Sequence, residues 1–194
     1  MTAHVALAAA ACCLACAKAG TAPTSAVVTP PSSVERQVTP SATDAAINTA
    51  DEPHVAINPS PSVATAGRLF VFLPGTGALP TQYRMILRVG AAHGYHAIGL
   101  NYPNPTAVGA LCADDTDAEC FWNVRREVIS GTNTSALLDV STANSIVNRL
   151  QKLVAHLDRQ FPTEGWGQYL TGGAIEWSKV VISGHSQGGG HAGV

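Results

Sequence analysis

Gly184-His185-Ser186-Gln187-Gly188 sets one serine between two glycines. It follows the apolar, β-branched run Val180-Val181-Ile182-Ser183 and precedes a proline-free stretch, Gly189-Gly190-His191-Ala192. The layout reads as strand, sharp turn and helix start. A serine hydroxyl is a weak nucleophile at neutral pH and needs a histidine to take its proton. It must also stand clear of the backbone so that a carbonyl can approach. A tight strand-to-helix turn gives that clearance but strains the serine backbone. Glycine at 184 and 188 removes side chains that would collide with the adjoining strand and helix. The helix that starts after Ser186 points free N–H groups and its positive dipole end at the site. The Gln187 N–H is placed to hold a developing oxyanion, and one such donor is worth ~3–4 kcal/mol of barrier.

A second segment supports the first. Leu69-Phe70-Val71-Phe72-Leu73 is a continuous apolar run, as expected of a buried parallel strand. It ends in Pro74-Gly75-Thr76-Gly77, a loop in which the backbone can approach a substrate oxygen closely. The second oxyanion donor is expected from this loop, either the Thr76 N–H or the Gly77 N–H.

Leu69 to Gly77, then a helix, then a strand, then Gly184 to Gly190 resembles the core of a secreted bacterial α/β-hydrolase, over roughly residues 66–194. The resemblance implies an α/β fold, a three-layer α/β/α sandwich around a mostly parallel sheet. It maps the nucleophile onto Ser186 and the first oxyanion N–H onto Gln187. It implies an esterase- or lipase-like serine hydrolase acting on small-molecule acyl esters without metal or organic cofactor. In such enzymes an acid and then a histidine follow the serine, and residues 187–194 hold no Asp or Glu. Both partners are therefore expected beyond residue 194, with the chain as the first, inactive part of the enzyme. His185 adjoins Ser186 and should point away from its hydroxyl, and His191 lies about 140° round the new helix. His54, His93, His96 and His156 read as surface or core residues. Two other functions fit the same scaffold: a non-catalytic exported binding or surface protein, and acyl transfer to an alcohol instead of water.

The chain has 194 residues and a net charge of −2, with no basic run to meet nucleic acid. Residues 5–17 form an apolar block too short to span a bilayer, which fits a signal peptide cleaved after Ala15-Cys16-Ala17. Cys13-Leu14-Ala15-Cys16 also comes near a lipoprotein box, with Cys16 as the lipid anchor and the one route to a membrane. Export to the periplasm or the medium follows from either reading. Three of the five cysteines lie in this leader, leaving Cys112 and Cys120, eight apart in a loop, to form one disulfide.

Residues 18–65, rich in Ala, Thr, Ser and Pro, read as a disordered tether, with His54-Val55-Ala56-Ile57 as a short edge strand. A helix is expected over 81–93, ended by Gly94, and a strand over 95–100, which makes a strand–helix–strand unit. Residues 101–140 read as a loop excursion that could wall the site. Its acidic spacing, Asp115-x-Asp117-x-Glu119, lacks the glycine and the later Glu of a calcium loop. The longest helix is expected over 141–161, with Ile146, Leu150, Leu153, Val154 and Leu157 on the packed face and Arg149 on the opposite one. Trp166, Tyr169 and Trp177 then stand in a loop and suit packing more than a cleft.

Overall fold

The structure, a computed structural model, describes residues 32–194, so the leader and the first part of the tether lie outside the described residues. The elements in chain order are β1 (Val34–Val38), α1 (Pro40–Thr43), β2 (His54–Asn58), β3 (Leu69–Leu73), α2 (Arg84–Ala92) and β4 (His96–Gly99). They continue with α3 (Val108–Leu111), α4 (Cys120–Ser130), α5 (Ile146–Gln160), β5 (Leu170–Thr171), β6 (Ala174–Ile175), β7 (Val180–Gly184) and α6 (Gln187–Ala192). Short 3₁₀ turns lead into α2, α5 and β7.

One five-stranded sheet runs in the order β1-β2-β4-β3-β7, and β5 and β6 form a separate hairpin. The sheet is mixed. β1–β2 and β2–β4 pair antiparallel, whereas β4–β3 and β3–β7 pair parallel. The parallel half carries the Pro74 and Ser186 loops. Its register sets Leu73 against Gly184, so both loops leave the sheet at the same end and side by side.

The apolar run of β3 is buried because it packs in both directions. Leu69, Val71 and Leu73 join one cluster with Leu150, Leu153 and Leu157 of α5, while Phe72 joins another with Leu87 and Ala91 of α2. Successive strand residues point to opposite faces, so a strand lined on both faces needs an unbroken apolar run. α5 is capped by Ser145, whose Oγ accepts the Asn148 N–H, a polar N-cap that orders its first turn.

Three expectations are corrected. The tether does not extend to residue 65, because β1 pairs with β2 over five residues. Composition concealed this strand, which side chains far along the chain hold in place. Glu35 accepts from Arg84 and Arg88 of α2, and Arg36 meets Glu164 and covers the Phe161 ring. β2 is consequently an interior strand, and His54 on it is fully buried. Second, Arg149 is fully buried instead of facing solvent. The segment before β2 folds over it, and its guanidinium donates to the carbonyls of Thr49, Ala50 and Asn144.

Third, residues 101–140 carry two helices. The Cys112–Cys120 disulfide joins the end of α3 to the first residue of α4, with 5.9 Å between Cα atoms. Trp166 and Tyr169 are buried in the α5 core as packing residues, while Trp177 is exposed.

Candidate active site

β7 ends at Gly184 and α6 begins at Gln187, which leaves His185 and Ser186 to make the whole turn. Ser186 adopts φ 51° and ψ −116°. A side chain at positive φ costs on the order of 1–3 kcal/mol and persists only where its surroundings hold it. The surroundings here are two glycines. A Cβ on Gly184 would collide with the Gly188 carbonyl carbon, and a Cβ on Gly188 would collide with the Leu73 carbonyl oxygen. The β3 and β7 ends and the first turn of α6 can therefore close up only with glycine at both positions. The His185 N–H donates to Leu73 O at 3.1 Å and pins the turn to β3.

The loop after β3 lies directly opposite. The Thr76 hydroxyl donates to Oε1 of the buried Gln187 side chain at 2.8 Å. Ser186, Gln187 and Thr76 line one open cleft of about 320 Å³, together with Val108 and Gly109 of α3 and Arg125 of α4. Of the two candidate donors in this loop, Gly77 has its N–H committed to Asn104 O at 2.9 Å. Neither the Thr76 N–H nor the Gln187 N–H has a partner among the described residues.

Residues after β4, which local sequence did not single out, fix the shape of this loop. The buried Tyr102 hydroxyl donates to Pro74 O at 2.7 Å, and burial pushes its ionisation far up. Asn104 Nδ2 donates to Gly75 O at 2.7 Å and to Ala78 O at 3.1 Å. The discoverable signal was topological. β4 runs parallel to β3, so whatever follows β4 emerges beside the Pro74 loop. Arg125 is a further unforeseen member. It donates to Gln187 O at 3.2 Å, and no carboxylate pairs with it among the described residues.

No described histidine hydrogen-bonds the exposed Ser186 hydroxyl. His185 Nδ1 pairs instead with the Tyr83 hydroxyl at 3.0 Å. His96 sits between Tyr169 and the Glu164 carbonyl, and His54 Nδ1 accepts the Asn101 N–H. His191 of α6 is buried edge-on against Tyr102, and burial, with Arg125 nearby, pushes its pKa down to about 4. A serine, two unpaired N–H groups and a cleft of this size together could hold a carbonyl for attack. A proton acceptor is the part that the described residues do not place on Ser186.

No group of three or more metal-ligating side chains occurs among the described residues. No helix among them is long and apolar enough to cross a membrane. The chain matches no model of a known protein family, and a search of curated proteins gives no match either.

Proposed function

We propose that the chain carries the nucleophile of a serine hydrolase that acts on acyl esters. The observation that carries this reading is Ser186 held at positive φ between β7 and α6, with the Thr76 loop tied to Gln187 beside it. Strained backbone concentrates at functional sites, and packing alone gives no reason for an exposed serine to occupy such a conformation. The α/β fold supports the reading: a mixed five-stranded sheet with α5 packed in one core cluster and α2 in another, as the outer layers of a three-layer sandwich would be. The disulfide supports an oxidising, exported location, in keeping with the leader at residues 5–17.

In this reading Ser186 Oγ attacks the acyl carbon as its proton passes to a histidine. The carbonyl oxygen becomes an oxyanion held by the Gln187 and Thr76 N–H groups; Gly77 is set aside because its N–H is committed to Asn104. Collapse of the tetrahedral intermediate breaks the ester C–O bond, and the histidine returns the proton to the departing alkoxide. Water then attacks the acyl-enzyme by the same route and frees the acid and Ser186. None of the described residues places that histidine or its orienting acid on Ser186. No metal or organic cofactor takes part.

A fluorophosphonate probe tests the assignment on the complete gene product. Labelling at Ser186, lost with Ser186→Ala together with ester hydrolysis, is the expected result. Esterase activity that survives Ser186→Ala would refute it, and a wild-type protein that neither labels nor hydrolyses esters would favour the reading as a binding protein on the same scaffold.

A further inference from the structure

A second cavity opens beside the Ser186 cleft. It is a chamber of about 190 Å³ between α3, α4 and the loop that follows α4. Val108, Leu111, Val124, Val128 and Leu138 supply apolar parts of its wall, with Pro103 and Pro105 of the loop after β4, and Asp139 and Gln187 supply polar parts. Val108 and Gln187 line the cleft as well, so the chamber and the cleft adjoin across these two side chains.

The wall is built, not incidental. The Cys112–Cys120 bridge fastens α3 to α4 beside Val108 and Val124, and the four residues form one apolar cluster. The loop that brings in Leu138 is anchored by the buried Glu127 of α4. Its carboxylate accepts the N–H groups of Thr134 at 3.0 Å, Ser135 at 2.8 Å and Val140 at 3.1 Å. A carboxylate buried with three backbone donors fixes a loop firmly. A mostly apolar recess of this kind is a default place for the apolar part of a ligand.

We infer that this chamber binds the apolar limb of the scissile ester, a chain or ring of about six to eight carbons. The inference rests on Ser186 as the nucleophile. The size follows from comparison: an apolar cavity of about 150 Å³ takes up benzene, and this one measures about 190 Å³. The limb is either the acyl chain or the alcohol, since both flank the carbonyl held at Gln187. Each methylene moved from water into such a space contributes about fourfold to kcat/KM.

The test uses the complete gene product and two ester series. One is p-nitrophenyl esters from acetate to decanoate, and the other is acetate esters from methyl to octyl. One series should rise to an optimum at six to eight carbons. Leu138→Trp, which fills the chamber, should lower the six-carbon to two-carbon ratio in that series by at least about tenfold. Leu138→Ala should move its optimum to longer chains. Fluorophosphonate labelling of Ser186 reports an intact site in each variant, and if Leu138→Trp does not fold, Leu138→Ala decides. Labelled protein whose length profiles stay unmoved in both series overturns the chamber and leaves the nucleophile standing. Wild-type protein that does not label overturns the nucleophile and the chamber with it.

Discussion

The Thr76 hydroxyl donates to Gln187 Oε1 at 2.8 Å and so joins the loop after β3 to the first turn of α6. Each of these residues also carries one of the proposed oxyanion N–H groups, so the bond sets the spacing of the pair. Thr76→Val keeps the shape and removes the donor. It leaves the buried Gln187 amide without that partner, a loss of about 1 kcal/mol of stability. Transition-state stabilisation depends on donors held in place before reaction. In the complete gene product kcat should therefore fall roughly tenfold or more with little change in KM, and Thr76→Ser should restore it. Steady-state kinetics on one p-nitrophenyl ester would decide the matter; a Val variant with wild-type kcat would mean that the bond positions nothing.

Strain at Ser186 yields a prediction that needs no catalysis. Alanine and glycine both remove the hydroxyl, but only glycine adopts φ 51° at little cost. Ser186→Gly should be more stable than Ser186→Ala by about 1 kcal/mol, the strain relieved less the extra chain entropy of glycine when unfolded. Urea midpoints of the two variants provide the comparison, and equal midpoints would show an unstrained turn.

Glu127 makes a prediction about the wall. Its carboxylate is 1% exposed and satisfies three backbone N–H groups of the 134–140 loop. Glu127→Ala orphans all three, at a cost of about 3 kcal/mol. At this chain size that lowers Tm by roughly 6–12 °C. The loop should also become the first site of limited proteolysis. A variant that melts like the wild type and resists protease would show that the loop is held by its apolar contacts alone.

The turn chemistry was legible from sequence because it is local. Two glycines around a serine, between a β-branched run and a proline-free stretch, mark the turn within one short window, although the backbone that Gly188 must clear belongs to the distant Leu73. Gly94 as the end of α2 was legible for the same reason, and it adopts φ 83°. The cysteine pair was also readable, because two cysteines only eight residues apart need just one short loop to bring them together. What stayed hidden depends on partners far away in sequence. β1 looks like part of a polar tether until Arg84, Arg88 and Glu164 arrive to pair with it. Arg149 looks solvent-facing until residues 49 and 50 fold back over it with their carbonyls. Tyr102, Asn104 and Arg125 sit in a stretch of irregular periodicity. Their roles emerge only once the strand order is known, because that order decides which loops are neighbours.

Three buried histidines, His191, His54 and His96, tie stability to pH, and burial holds the His96 ring, too, below its usual value. His191 is 3% exposed, and neither ring nitrogen has a partner among the described residues. Burial, with Arg125 nearby, pushes its pKa down to about 4. His54 is fully buried with Nε2 unpaired, and burial, with Arg149 nearby, pushes its pKa down to about 3. The His191 and His54 rings stay neutral in the folded protein, while the unfolded chain takes up protons near pH 6.5. Below that pH the unfolded state binds more protons, so stability falls as pH drops from 6.5 towards 4 and is unaffected above 7. His191 alone should remove on the order of 2 kcal/mol at pH 5. Burial raises the carboxyls of Glu35 and Glu164, but hydrogen bonds from their arginine partners outweigh it and hold both below their usual range, so they lose their protection only at lower pH. His191→Phe keeps the ring against Tyr102 but cannot take a proton. Between pH 7 and pH 5 it should lose about 2 kcal/mol less stability than the wild type, measured by urea unfolding at the two pH values. Parallel losses in the two proteins would place His191 in a solvated setting and remove it from the α6 core.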